Sequence, residues 1–288
     1  MSDPSVRARS FGAAAADYHR ARTGYTVEDV TWALGLDEAP APGGAPHVQI
    51  GRLHVLDLAA GTGRLTMALL AAGVGQVAAV EPDPGMRAEF AARVGTAGVT
   101  LHDGTAEAIP LPDVSVDAVV VGSAFHWFDP EQAVPEIARV LRPGGCLTAL
   151  WTHPDEQVDW VRAYRGAGRA ELATKADPAG AGVADTPTAP APPAADQRAD
   201  RHSDIPASPL FSATERRDSV HTEPTDRSRL VTGIGTYSEM LVADPVRRAA
   251  TLAAVADTVQ RVVPGSGPGD GDRVLLPVRV AGARCRRR

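Results

Sequence analysis

Two carboxylates near the front of the chain stand where a small organic ligand would need them. Asp57 lies at the end of the apolar run Leu53, Val55, Leu56, Leu58, just ahead of Ala59-Ala60-Gly61-Thr62-Gly63. Glu81 ends a second run, Gln76-Val77-Ala78-Ala79-Val80, and follows Gly63 by 18 residues. Glycines in such a loop let a ligand come against the backbone, and a helix N-terminus behind it offers free N–H groups. A carboxylate beside that loop repels a pyrophosphate and suits an ammonium. A carboxylate at the next strand end is placed to accept bonds from ribose hydroxyls.

The elements that must hold these groups surround them. The run before Gly61 is too short and too abruptly ended for a helix, so it reads as a buried strand. A helix-period segment (Leu65, Ala68, Leu69) follows the loop. A dinucleotide fingerprint needs a third glycine for close helix–strand packing, and Thr66 holds that position. S-adenosylmethionine carries an ammonium, a sulfonium and no phosphate. It accounts for both Asp57 and the missing glycine.

Ahead of this unit, residues 10–35 read as two helical pieces, with Ser10 and Thr26 as caps and Glu28 and Asp29 in the second piece's first turn. Residues 37–51 are a Pro/Gly connector. After Glu81, Pro82 stops the strand, Asp83 caps a helix and Pro84 opens it. Met86, in that first turn, is either a core residue or part of an adenine pocket. Strands are expected at 98–102, 116–122 and 146–151, with a turn at 109–115. Asp129 caps a helix running to Leu141, which Arg142-Pro143-Gly144-Gly145 closes. Alternating strands and helices imply a parallel sheet with right-handed crossovers. Ligands bind outside the carboxyl ends of its strands, where Asp57, Glu81, Asp103 and Ser123 fall.

Residues 176–209 contain only Val183 and Ile205 as large apolar residues, among repeated Pro, Ala and Asp. They read as a disordered insertion. Helices are expected from about 228 to 240 and from 245 to 263, a flexible loop over 265–272, and a last strand over 274–280. Pro277 inside that strand points to an edge position or a bulge. The expected organisation is therefore an N-terminal helical lid and connector (1–50), an α/β core (51–175), the insertion (176–209) and a C-terminal part of the same domain (210–288).

The 288 residues suffice for one large domain or two small ones, and 44% of them are hydrophobic. A net charge of −6 argues against a general nucleic-acid binder. The run Arg284, Arg286, Arg287, Arg288 reads as a solvated tail, since no aromatics interleave it. Cys146 and Cys285 form no metal-ligand spacing, and a reduced, cytoplasmic protein without a metal is expected. No run approaches the ~20 apolar residues of a membrane span, and the N-terminus lacks an apolar leader core.

With these residues in view, the chain resembles the class I S-adenosylmethionine-dependent methyltransferases, and more narrowly the bacterial small-molecule subgroup known as methyltransferase type 11. The matching pieces are Asp57-Leu58-Ala59-Ala60-Gly61-Thr62-Gly63, Glu81-Pro82-Asp83, and Gly104-Thr105-Ala106-Glu107 with Leu111-Pro112. Phe125-His126-Trp127-Phe128 and Leu141-Arg142-Pro143-Gly144-Gly145 follow in order, and Tyr18 to Tyr25 precede them. The resemblance is dense over residues 10–152 and faint beyond about 205. It implies a doubly wound Rossmann-like methyltransferase fold, a mostly parallel seven-stranded sheet with an antiparallel last strand, and S-adenosylmethionine as cofactor.

By that resemblance Ala59, Gly61 and Gly63 line the methionine part of the cofactor and Asp57 holds its amino group. Glu81 and Pro82 lie at the ribose, Met86, Thr105, Ala106 and Glu107 at the adenine, and Ser123 under the cofactor. Tyr18 and Arg22 belong to a lid over the site. Thr105 stands where many relatives carry an aspartate that accepts from the adenine amino group, and a hydroxyl accepts more weakly. His126 is either a general base or a wall residue among its aromatic neighbours. The sequence thus points to methyl transfer onto oxygen, nitrogen or carbon of a small molecule. A catalytically silent relative and a nicotinamide-dependent oxidoreductase are the rival readings.

Overall fold

A computed structural model describes residues 14–37, 49–173, 205–264 and 272–288. The cap expected at Ser10, the connector over 38–48, the insertion up to 204 and the loop over 265–271 lie outside the described residues.

Each apolar run identified above becomes a strand with one helix-facing layer on either side. Strands β1 (His54–Leu58), β2 (Gln76–Val80), β3 (Val99–His102), β4 (Val116–Gly122) and β5 (Leu141–Pro154) pair in parallel. β6 (Glu215–Asp226) and β7 (Arg273–Arg286) complete a seven-stranded sheet of order β3-β2-β1-β4-β5-β7-β6, in which β7 runs antiparallel to both neighbours. The order reverses between β1 and β4, and that reversal opens a crevice at the carboxyl ends of these strands.

Alternation along the strands assigns the two faces. Val55, Ala118 and Val120 turn to one layer, which includes α2 (Val27–Ala33), α3 (Arg64–Ala71), α6 (Asp159–Ala173), α7 (Arg227–Gly235) and α9 (Pro245–Val262). Leu56, Leu58, Val119 and Val121 turn to the other, built on α5 (Pro130–Val140) and the short turn Phe125–Trp127. α4 (Pro84–Val94) places Phe90 against Ala60 and Ala79. The remaining helices are α1 (Ala15–Ala21) and α8 (Ser238–Leu241). No helix among the described residues is long and apolar enough to cross a membrane.

The expected caps form: Thr26 and Asp29 make a reciprocal capping box, and Asp83 and Asp129 accept from Met86 and Glu131 amides. α2 is more than a lid. Val30, Trp32 and Ala33 are buried against the sheet, and the Thr148 hydroxyl donates to the Ala33 carbonyl at 2.7 Å. Gly282 makes room for Trp32, since a Cβ there would lie 2.4 Å from the indole.

Four expectations are corrected. α5 ends at Val140 and the chain enters β5 at once, so Arg142-Pro143-Gly144-Gly145 forms a bulge between the Val116–Leu141 and Ala118–Cys146 pairs, with Gly144 at φ +77°. The helix expected over 228–240 breaks in two at Thr236, whose hydroxyl and amide both bond the Gly233 carbonyl. The last strand reaches Arg286 and is internal. Pro277 is tolerated there because its carbonyl, and hence its missing N–H, faces β5 just past the final Pro154–Val278 pair. The arginine tail is not a solvated run. Arg284 is 2% exposed, stacks over Trp32 and binds Asp37 and Glu215, while the backbone of Arg287 pairs with Gly144 and Gly145. At the far end of the expected insertion, Ile205 is buried in the same cluster as Phe211.

Candidate cofactor site

The crevice is built from three strand ends and their loops. After β1 the chain turns through Ala59 (φ +58°), Gly61 (φ +58°) and Gly63 (φ +85°) before entering α3. A non-glycine residue in the left-handed region is a strained position held by its surroundings, and Ala59 and Ser123 (φ +53°) both lie at this crevice. The two glycines serve different purposes. A Cβ on Gly61 would meet nothing within 4 Å, so the space in front of it is open. A Cβ on Gly63 would lie 2.2 Å from Val94 and 2.9 Å from Phe90, so Gly63 lets α4 pack against the loop.

Asp57 is 1% exposed. One of its oxygens accepts from the Thr66 hydroxyl, at 2.5 Å, and Oδ1 is buried without a hydrogen-bond partner among the described residues. Burial pushes its carboxyl up to about 7, against the Thr66 bond. Glu81 is also buried and divides its carboxylate: Oε2 accepts from the Gly61 amide and Oε1 from the Asp83 amide, both at 2.9 Å. Burial raises its pKa, and the two amides pull the other way. Arg87 binds the Glu81 and Pro82 carbonyls at 2.8 Å and grips Asp103 with both guanidinium nitrogens at 3.0 Å. Asp103 is thereby a fastener of the β2–α4 turn.

The other expected residues take distinct places. Met86 and Ala106 are buried, and Thr105 is exposed. Glu107 accepts from the Asp129 amide at 3.0 Å, which ties the 103–108 turn to the cap of α5. Ser123 accepts from the Thr152 amide at 3.4 Å and bonds the Tyr25 side chain. His126 is exposed, with its ring 4.7 Å from that of Trp127. Tyr18 lies over the Arg22 guanidinium (4.8 Å), whose other contacts are the Tyr237 ring (4.4 Å) and the Thr236 carbonyl (3.1 Å). Arg22 thus reaches towards α7 and α8.

Several residues of the site are given no individual role by the sequence. Thr66 looks only like an absent glycine, yet its hydroxyl donates to Asp57. Tyr25 stands over Gly122, where a Cβ would come within 2.7 Å of the phenol oxygen. His19 meets the Thr62 hydroxyl at 3.0 Å, and Arg64 binds the His19 and Thr23 carbonyls, so α1 is fastened across the glycine loop. Glu223, far away in sequence, accepts from the Gly24 amide at 2.6 Å and holds the same segment from β6.

Residues 56–149 match the methyltransferase domain family model. That segment is what the chain shares with the class I methyltransferases. An uncharacterised methyltransferase of Mycobacterium tuberculosis is 46% identical over 153 residues, covering 53% of this chain and 56% of its own. A malonyl-[acyl-carrier protein] O-methyltransferase of Methylococcus capsulatus is 40% identical over 107 residues, covering 36% and 39%. The chain therefore spans about half or less of these curated relatives. A candidate type II methyltransferase from Anaeromyxobacter dehalogenans shares the fold at 22% identity with a TM-score of 0.59, covering 92% of this chain and 97% of that one. Within the methyltransferase core, the matched residues run from β1 through β5 and contain the carboxylate pair and the glycine loop.

Proposed function

We propose that the chain binds S-adenosylmethionine in this crevice and transfers its methyl group to oxygen, nitrogen or carbon of a small molecule. The observation that carries the reading is Asp57: a buried carboxylate with one oxygen unpartnered, beside a glycine whose front is open. An ammonium donates to such an oxygen and offsets its desolvation, whereas a pyrophosphate is repelled. Glu81 supports the same fit, because each oxygen has a lone pair left after its backbone amide for a ribose hydroxyl. The Thr66 hydroxyl engaged with Asp57 argues further against a dinucleotide.

The bound cofactor would supply an activated methyl group on sulfonium. The protein's own part is positioning and exclusion of water. Asp57, Gly61 and Glu81 fix the two ends of the cofactor, while Met86 and Ala106 give its adenine an apolar wall. Tyr25 and Ser123 close the strand ends, and α1 covers the loop. Proximity and orientation supply the acceleration, so no general base is assigned, and His126 takes no part in chemistry. The relative named as an O-methyltransferase supports oxygen as one of these acceptor atoms.

The reading is tested by incubating the chain with methyl-labelled S-adenosylmethionine and a low-molecular-mass extract. Label is expected in the small-molecule fraction together with S-adenosylhomocysteine. Label confined to macromolecules would contradict the acceptor class.

A further inference from the structure

A second pocket opens behind the lid, beyond the carboxyl ends of β5 and β6. Its enclosed part measures only about 30 Å³, room for one small polar group, and the cleft around it is open to solvent. Arg22 and Arg229 line it with Thr152, Tyr237, Leu230 and Leu276. Thr23, also on its wall, donates to Thr152 at 2.8 Å, and Thr152 donates its amide to Ser123. One residue therefore separates this pocket from the cofactor crevice.

The charges around it do not balance. The guanidinium of Arg22 lies between the Tyr18 and Tyr237 rings and donates to a carbonyl, and its Nε is buried without a hydrogen-bond partner. Among the described residues Arg229 has the same unsatisfied Nε, and its guanidinium donates only to the Pro224 carbonyl, at 3.4 Å, with Asp226 nearby as a charge. Arg64 stands close enough to Arg229 to feel its charge. Against these three cations stands Glu223, already shared between the Gly24 amide and His221, together with Asp226, which caps α7. Arg165, 5.2 Å from the Tyr237 ring, pairs with Glu156, which it shares with Arg169. Half-buried guanidinium groups lacking a carboxylate leave desolvated charge and unused donors, which an anion repays. The rest of the wall is threonine and tyrosine with leucine, isoleucine, alanine, proline and glycine, so a short apolar body can lie along the open cleft beside the anionic group.

We propose that this pocket holds the methyl acceptor, and that the acceptor is a small organic acid whose anionic group is bound by Arg22 and Arg229. The assignment rests on the methyltransferase reading of the adjacent crevice, and it moves Arg22 from the cofactor to the acceptor. Carboxylate and phosphate share the recognition chemistry, and the probes separate them.

The test is calorimetric titration of the full chain, with and without S-adenosylhomocysteine, using butanoate, hexanoate, hexyl phosphate and hexanamide. The acids are expected to bind and the amide to bind at least about tenfold more weakly. Arg22→Met and Arg229→Met are each expected to lower acid affinity roughly ten- to a hundredfold, with S-adenosylhomocysteine affinity within about twofold of the parent. Arg22→Lys keeps the charge and is expected to recover part of the loss, which separates recognition from misfolding. Hexanamide binding as well as hexanoate overturns the proposal, as does acid binding that survives both methionine variants. A collapse of S-adenosylhomocysteine affinity in Arg22→Met would return that residue to the cofactor. Failure of the unsubstituted chain to bind S-adenosylhomocysteine would instead sink the methyltransferase reading, and the titrations without it would still decide the pocket.

Discussion

Asp57 carries a burden that only a ligand relieves. Its folded pKa, about 7, lies above the ~3.9 of an unfolded aspartate. The folded chain then holds the proton more tightly, so this contribution to stability is complete below about pH 4 and is lost as pH rises through 7. Asp57→Asn removes that loss, and its thermal midpoint should exceed the parent's at pH 8 and match it more closely at pH 5. The same variant should weaken S-adenosylhomocysteine binding by about ten- to a hundredfold, since a charged hydrogen bond is worth roughly 1.5–3 kcal/mol. Glu81 behaves differently. The sequence places it at a strand end, and in the fold both of its oxygens also accept from backbone amides. Glu81→Gln turns an NH₂ towards one of those amides, so it should cost about 1–3 kcal/mol of stability as well as affinity. Thermal denaturation beside calorimetry separates the two losses.

At the scale of elements, the two glycines of the loop make a contrast that mutagenesis can read. Gly63→Ala drives a methyl into Val94 and Phe90 at a left-handed φ and should cost about 2–4 kcal/mol by chemical denaturation. Gly61→Ala meets no neighbour and should cost only about 1–2 kcal/mol of backbone strain. Strands β1 to β5 and helices α4 and α5 were legible because apolar runs, caps and prolines agree locally. The bulge after α5 was not, since a glycine pair after a helix reads as a turn unless its partner strand is known. The internal position of β7 was hidden for the same reason: Pro277 is excluded from central strands only where a neighbour needs its N–H.

Over the whole molecule, long-range contacts account for what sequence reading missed. Arg284 joins Trp32 and Asp37 on one distant segment to Glu215 on another, which no local pattern announces. Arg284→Met should lower stability by about 1–2 kcal/mol, because the buried Trp32 carbonyl keeps the Gly35 amide but loses its charged donor, while the two acids reach water. The carboxylate pair and glycine loop, by contrast, were readable because their spacing is local. The clamp of Arg64 and Glu223 on the lid spans β6 and α3 and became visible only in the fold. That the crevice is a cofactor site formed around Asp57 is tested most directly by titrating the chain with S-adenosylhomocysteine at pH 7 in buffers of different ionisation enthalpy. Binding is predicted with release of a proton from Asp57, and the proton release should vanish in Asp57→Asn. No binding at about millimolar ligand, or binding unaltered in Asp57→Asn, would contradict the account.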